Sequence, residues 1–220
     1  MSTEEPKPLT AEDLNNVPGT PELEKPKNFL EIEVKYNADD IDRIKFKDLA
    51  QGLNPGSFIY VESYDVYYVR DEESFLRYRM PATNSGDDKP SKRAELAFKR
   101  KHIAKNNIVR TEVNLRVDVN TPELVNAFCE GLGYKKNFSI YKMCDIYIFE
   151  DATLVYYSVK DESNKYAHFV EIEASEEMNL GEEAAWEIIQ KYEKILSPLG
   201  ITAQKRKRLS LYEMYKKEIK

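Results

Sequence analysis

Two short segments, far apart in the chain, read as acidic strands: Glu31-Ile32-Glu33-Val34-Lys35 and Glu171-Ile172-Glu173. In a β-strand the side chains alternate faces. Glu31, Glu33 and Lys35 therefore share one face, and Leu30, Ile32, Val34 and Tyr36 share the other. In the second segment Glu171 and Glu173 oppose Val170, Ile172 and Ala174. Carboxylates at i and i+2 stand roughly 7 Å apart and repel when both are ionised in a dry site. Two surroundings suit them: water, or a cation that needs oxygen ligands.

Four further segments follow the same alternation with basic residues. Phe75-Leu76-Arg77-Tyr78-Arg79-Met80 puts two arginines on one face and Leu76, Tyr78 and Met80 on the other. Glu95 to Lys101 sets Lys99 and Lys101 opposite Leu96 and Phe98. Arg110 to Val117 is the most regular, with Arg110, Glu112, Asn114 and Arg116 on its polar face and Val113, Leu115 and Val117 on its apolar one. In Ser139 to Cys144, Lys142 and Cys144 share a face. A solvated sheet face ordinarily intersperses opposite charges, because like charges at neighbouring positions repel. Here like charges recur as i, i+2 pairs in strand after strand, which fold stability does not require. A polyanion does require it. Arg grips phosphate through bidentate hydrogen bonds, and Lys acts as a point charge.

The order of these segments resembles the CYTH superfamily, or triphosphate tunnel metalloenzymes, over about residues 29–215. Glu31, Glu33 and Lys35 match its opening Glu-x-Glu-x-Lys, and Asp65-Val66-Tyr67-Tyr68 is similar to its Asp-x-Tyr-Phe strand. Arg77 and Arg79 match its Arg-x-Arg, Phe98-Lys99 falls at its Tyr-Lys, and Arg110 and Glu112 match its Arg-x-Glu. Glu171 and Glu173 match the closing Glu-x-Glu, and Ser210-Leu211-Tyr212 resembles a C-terminal Ser-Tyr element with one residue inserted. The chain departs from the pattern at Cys144, where the family has Arg two positions after the lysine matched by Lys142.

The resemblance implies an α+β fold: a closed antiparallel β-barrel, or tunnel, with a charged interior and helices packed outside. It implies a metal-dependent triphosphatase that removes the terminal phosphate of inorganic triphosphate, a nucleoside triphosphate or a related triphosphate such as an RNA 5′ end. A class IV type adenylyl cyclase is the alternative among enzymes. A polyphosphate- or nucleotide-binding module without catalysis is the alternative of another class, and Cys144 is what favours it. On the enzymatic reading Arg77, Arg79, Lys99, Lys101, Arg110, Arg116 and Lys142 bind the triphosphate. Glu31, Glu33, Glu112, Glu171 and Glu173 hold Mg²⁺ or Mn²⁺, ions that prefer carboxylate oxygen and water. Glu31, Glu33 and Lys35 form the catalytic group, in which Lys35 either contacts the phosphate or assists deprotonation of the attacking water. A thiol at 144 cannot replace a guanidinium, so Arg116 or a member of Lys205-Arg206-Lys207-Arg208 is expected to supply the missing charge.

Composition is consistent with one domain over 29–220. A chain of 220 residues can bury one sizeable core. A net charge of −6 argues against a protein that coats nucleic acid, so the basic residues act locally. With only two cysteines, Cys129 and Cys144, neither a disulfide scaffold nor a zinc site is expected. No apolar run reaches the ~20 residues of a membrane span, and no targeting start is evident, so a cytoplasmic location is expected. His102 and His168 have no partner at metal-ligand spacing. P-loop, dinucleotide-binding and Gly-x-Ser-x-Gly signatures are absent. Residues 1–28 hold five of the ten prolines and read as a disordered tail. Helices are expected over 39–53 (apolar stripe Ile41, Ile44, Leu49, Leu53), from Thr121-Pro122 to Gly131 or Gly133, over 184–199, and over 209–218. Residues 82–92 read as a polar loop.

Overall fold

Period-two alternation takes shape as nine strands and four α-helices in a computed structural model that describes residues 30–72, 74–82, 94–101, 109–117, 122–175 and 181–218. Within the strands, the side chains of 30, 31, 101, 109–112, 116 and 117 lie outside the described set. The expected tail, nearly all of the 82–92 loop, His102 and Thr121 also lie outside it. The strands are β1 (Leu30–Asn37), β2 (Ser57–Val69), β3 (Ser74–Pro81), β4 (Ala94–Lys101), β5 (Val109–Val117), β6 (Lys135–Ile148), β7 (Ala152–Lys160), β8 (Tyr166–Ala174) and β9 (Arg206–Lys207). The helices are α1 (Arg43–Gly52), α2 (Pro122–Gly131), α3 (Glu182–Leu196) and α4 (Leu211–Tyr215).

All pairings are antiparallel, in the order β5-β4-β3-β2-β6-β7-β8-β1-β9, with β5 also meeting β1. Two meanders, β2 to β5 and β6 to β8, join along the long β2–β6 pair, which carries a bulge at Tyr67/Tyr68. The expected closed barrel takes the form of a curled sheet. Among the described residues β5 pairs with β1 only at Leu30, Glu31 and Ile32, and farther along that edge β9 pairs at Lys35 and Tyr36.

Helices cover part of the outer surface. Ile32, Val34 and Tyr36 of β1, Leu154 and Tyr156 of β7, and Val170 and Ile172 of β8 form one core with Phe46 and Ala50 of α1 and Ala185, Ile189, Tyr192 and Leu196 of α3. A second core joins Val66, Tyr68, Leu76, Tyr78 and Leu96 to Val125 and Cys129 of α2. The helix start expected at residue 39 falls instead at Arg43, because the Asp42 carboxylate accepts from the Ile44 and Lys45 amides and caps it there. That phase turns Ile44 outward, 69% exposed, and Phe46 inward, so the expected stripe is corrected at Ile44. Helix α3 begins two residues earlier than expected and passes into a 3₁₀ turn, Ser197–Leu199, that ends on left-handed Gly200 (φ 84°). Helix α4 is shorter than expected because Ser210 and Glu213 close a capping box at its start. Among the described residues no helix is long and apolar enough to cross a membrane.

Ile189 is fully buried between α3 and the sheet. Ile189→Ala is expected to cost about 2–5 kcal/mol in urea unfolding. Ile44→Ala is expected to stay within ~0.5 kcal/mol of wild type by the same measurement.

Candidate functional site

The inner face of the sheet divides into two parts. One part is charged and lines a cavity of about 360 Å³. Its walls include Glu33 and Lys35 of β1, Arg77 and Arg79 of β3, Glu95 and Lys99 of β4, Lys142 and Cys144 of β6, and Glu171 and Glu173 of β8. The other part is aromatic. Tyr67 stacks on Phe138 (4.3 Å between centroids), and Phe75 stacks on Tyr212 of α4 (4.4 Å). With Ile140, Tyr157, Val159, Phe169 and Leu211 they form a third buried cluster. Several of these lie two residues from a charged side chain of the site: Tyr67 from Asp65, Phe75 from Arg77, Ile140 from Lys142, Phe169 from Glu171. The expected charged interior is thus accompanied by an aromatic part.

Inside the cavity, charges meet partners. Arg79 donates through Nε and Nη2 to the two oxygens of Asp65 at 2.8 and 2.7 Å. Asp65 is fully buried, which alone would raise its pKa, but Arg79, with Arg77 and Lys142 nearby, holds it well below the usual carboxylate range. Arg77 Nη2 donates to Glu95 at 2.8 Å. Lys35 Nζ lies 2.9 Å from Glu171 and 3.9 Å from Glu33. Burial raises the Glu171 pKa, yet Lys35, Lys142 and the Tyr157 hydroxyl together bring it far below the ordinary value. The Lys142 ammonium sits 4.1 Å from the centroid of the Tyr157 ring. Burial pushes the Cys144 thiol up, against Lys142 and Arg79, so the side chain is a neutral thiol.

Of the expected site residues, the structure brings Glu33, Lys35, Arg77, Arg79, Lys99, Lys142, Glu171 and Glu173 to one cavity. Glu31, Lys101, Arg110, Glu112 and Arg116 hold register positions in β1, β4 and β5, but their side chains lie outside the described set. Two members of the basic run pair outside the cavity. Lys205 pairs with Asp40 at 2.6 Å, while Arg206 binds Glu193 and lies over the Trp186 ring at 4.9 Å. His168 bonds to Ser158 at 2.8 Å. Asp65, Glu95 and Tyr157 join the site without having been expected there. Alternation alone puts Asp65 in phase with Tyr67, and Glu95 in phase with Lys99, so both were open to detection. Tyr157 is one of fifteen tyrosines, and nothing local marks it.

The donor set suits a hard cation. Glu33 and Glu173 are direct cross-strand partners lining the cavity, and two carboxylates with phosphate oxygens and water suffice for Mg²⁺. Among the described residues no three acidic, His or Cys side chains gather as a closed metal site.

No family model and no curated protein matches the sequence. Solved structures do. The PH1012 protein of Pyrococcus horikoshii is 23% identical, with 85% of this chain and 99% of that one covered at a TM-score of 0.66. A candidate adenylate cyclase of Vibrio parahaemolyticus is 13% identical, covering 84% and 97%, at 0.57. A chain of the Schizosaccharomyces pombe Mediator head module is 13% identical, covering 77% and 95%, at 0.54. The chain shares its overall fold with these proteins.

The depressed carboxylates set an acid limit. Asp65 and Glu171 hold protons less tightly folded than unfolded, so their stabilisation is complete above the ordinary carboxylate range and is lost as pH falls below it. Unfolding stability is expected to drop steeply below about pH 4. The drop should be shallower in Asp65→Asn/Arg79→Gln, measured by urea titration between about pH 7 and about pH 2.5.

Proposed function

We propose that this chain is a metal-dependent triphosphatase acting on inorganic triphosphate, a nucleoside triphosphate or a related triphosphate. The observation that carries this reading is one cavity with carboxylates on β1 and β8 and cations on β3, β4 and β6. A triphosphate with its metal ion has the complementary distribution of charge. Arg77, Lys99 and Lys142 bind the phosphate oxygens, and Asp65 fixes Arg79 so that its remaining donor edge keeps one direction. Arg110, Lys101 and Arg116 extend the grip from β4 and β5. Glu33 and Glu173, with Glu31 and Glu112, would hold Mg²⁺ or Mn²⁺. When bound, that ion neutralises phosphate charge and activates the attacking water. Lys35, between Glu33 and Glu171, contacts the terminal phosphate and orients it for in-line attack.

Two observations support other readings. The structural likeness to a candidate adenylate cyclase supports a cyclase, in which a ribose hydroxyl replaces water and pyrophosphate leaves. The neutral thiol of Cys144 in the cavity, where a cation would add to the phosphate grip, supports a binding module without turnover.

A screen of triphosphate, nucleoside triphosphates and 5′-triphosphate RNA with Mg²⁺ or Mn²⁺ separates them, reading phosphate, pyrophosphate and cyclic nucleotide. Phosphate release is expected. Pyrophosphate with cyclic nucleotide instead would establish the cyclase. Glu173→Gln should lower turnover by on the order of 100-fold with the fold retained. Lys142→Met should weaken tripolyphosphate binding about tenfold. Cys144→Arg, which forces a long cation into the buried cluster around Tyr67 and Phe138, should leave activity equal or lower. Activity created by Cys144→Arg in an otherwise silent protein would establish the binding module.

A further inference from the structure

We infer that Tyr157 is a positioning residue of the anion grip, and that Glu171 serves this grip instead of binding the metal ion. The inference rests on the triphosphate reading above. Tyr157 is fully buried in the middle of β7, directly across from Cys144. It touches the site in two ways. Its hydroxyl donates to Glu171 Oε1 at 2.8 Å, and its ring face lies under the Lys142 ammonium at 4.1 Å from the centroid. The same Glu171 oxygen takes Lys35 Nζ at 2.9 Å.

The chemistry of these contacts divides the carboxylates. A carboxylate oxygen has two lone-pair sites. On Glu171 Oε1 a hydroxyl and an ammonium use both, which ties this carboxylate to the cationic side of the site and leaves a hard cation only Oε2 unless it displaces a buried lysine. Glu33 and Glu173, by contrast, face each other across the β1–β8 pair and line the cavity. Glu171 thereby acts as a brace, fixing Lys35 on one side and the Tyr157 ring on the other.

The ring does something a carboxylate cannot. An aromatic face attracts a cation through its quadrupole without neutralising it. The Tyr157 ring holds Lys142 without adding a further negative charge beside it. A carboxylate in the same place would fix the lysine equally well but compete with the anion. Cys144, the cross-strand neighbour, adds no charge of either sign.

The test uses the full chain and two direct binding measurements. Tripolyphosphate binding is followed by calorimetry in excess chelator, and Mn²⁺ binding by electron paramagnetic resonance without polyanion. Tyr157→Phe keeps the ring and loses the hydroxyl; Tyr157→Leu loses both. Tripolyphosphate affinity should fall about threefold in Tyr157→Phe and about tenfold or more in Tyr157→Leu. In a Lys142→Met background Tyr157→Leu should add only the roughly threefold loss of its hydroxyl, because the ring's partner is already gone. A full additional loss there would reduce Tyr157 to a structural role and overturn the inference. Mn²⁺ affinity should stay within about twofold of wild type in Glu171→Gln and fall about tenfold or more in Glu173→Gln. An equal loss in both would return Glu171 to the metal ligands and overturn that half. If a Tyr157 variant fails to fold, the Glu171→Gln and Glu173→Gln comparison still decides the assignment of Glu171. Wild-type protein that binds no tripolyphosphate would instead remove the triphosphate reading itself.

Discussion

Charge neutralisation inside a curled sheet governs this structure. Lys35 with Glu171, Arg77 with Glu95, and Arg79 with Asp65 all sit on the concave side, where water is scarce. A buried ion pair contributes little net stability, because desolvation cancels most of its attraction, yet removing one partner is costly. The concave face is therefore built for polarity, and cohesion comes from elsewhere. Apolar residues of β1, β2, β3, β4, β7 and β8 turn outward, where α1, α2 and α3 cover them. The arrangement reverses that of an ordinary sandwich, in which the faces between layers are oily and the outer ones are wet.

The aromatic cluster around Phe138 and Tyr212 completes this division. It is cohesive material on the same face as the ions. It also excludes water next to them, and charges beside a low-dielectric wall act over longer distances than charges in solvent. Helix α4 contributes Leu211 and Tyr212 to that wall, held at its start by the Ser210–Glu213 box. The resemblance of Ser210-Leu211-Tyr212 to a site motif thus has a packing basis here, since Ser210, Leu211 and Tyr212 all line the cavity.

Period-two alternation identifies most of the strands from the sequence and chooses the inward face correctly for Glu33, Arg77, Lys99, Lys142 and Glu173. What it cannot supply is partnership. That Lys35 leans on Glu171, or that Arg79 is forked by Asp65, depends on which strands lie side by side, and alternation carries no register. The outward turn of Ile44 escapes for a related reason: one Asp42 side chain sets the phase of a short helix against its apolar count. The aromatic half of the interior is hidden because Tyr and Phe are at home on either face of a strand. Strand β9 is two residues long, too short for periodicity to register at all.

The first strand also sets the order in which the molecule can be made. Among the described residues β1 finds no partner close behind it; its neighbours begin at Val109 in β5, continue in β8 and finish at Lys207 in β9. Both meanders can assemble from local hairpins while β1 waits. Pairings so distant in sequence pay their loop-closure entropy before they are rewarded, and chains rich in them fold slowly. During synthesis β1 is an unpaired edge, half of it Leu, Ile, Val and Tyr, at least until β5 has emerged. The strand that anchors the charged cavity is thus secured only by distant pairings, and the period before it docks exposes the chain to aggregation.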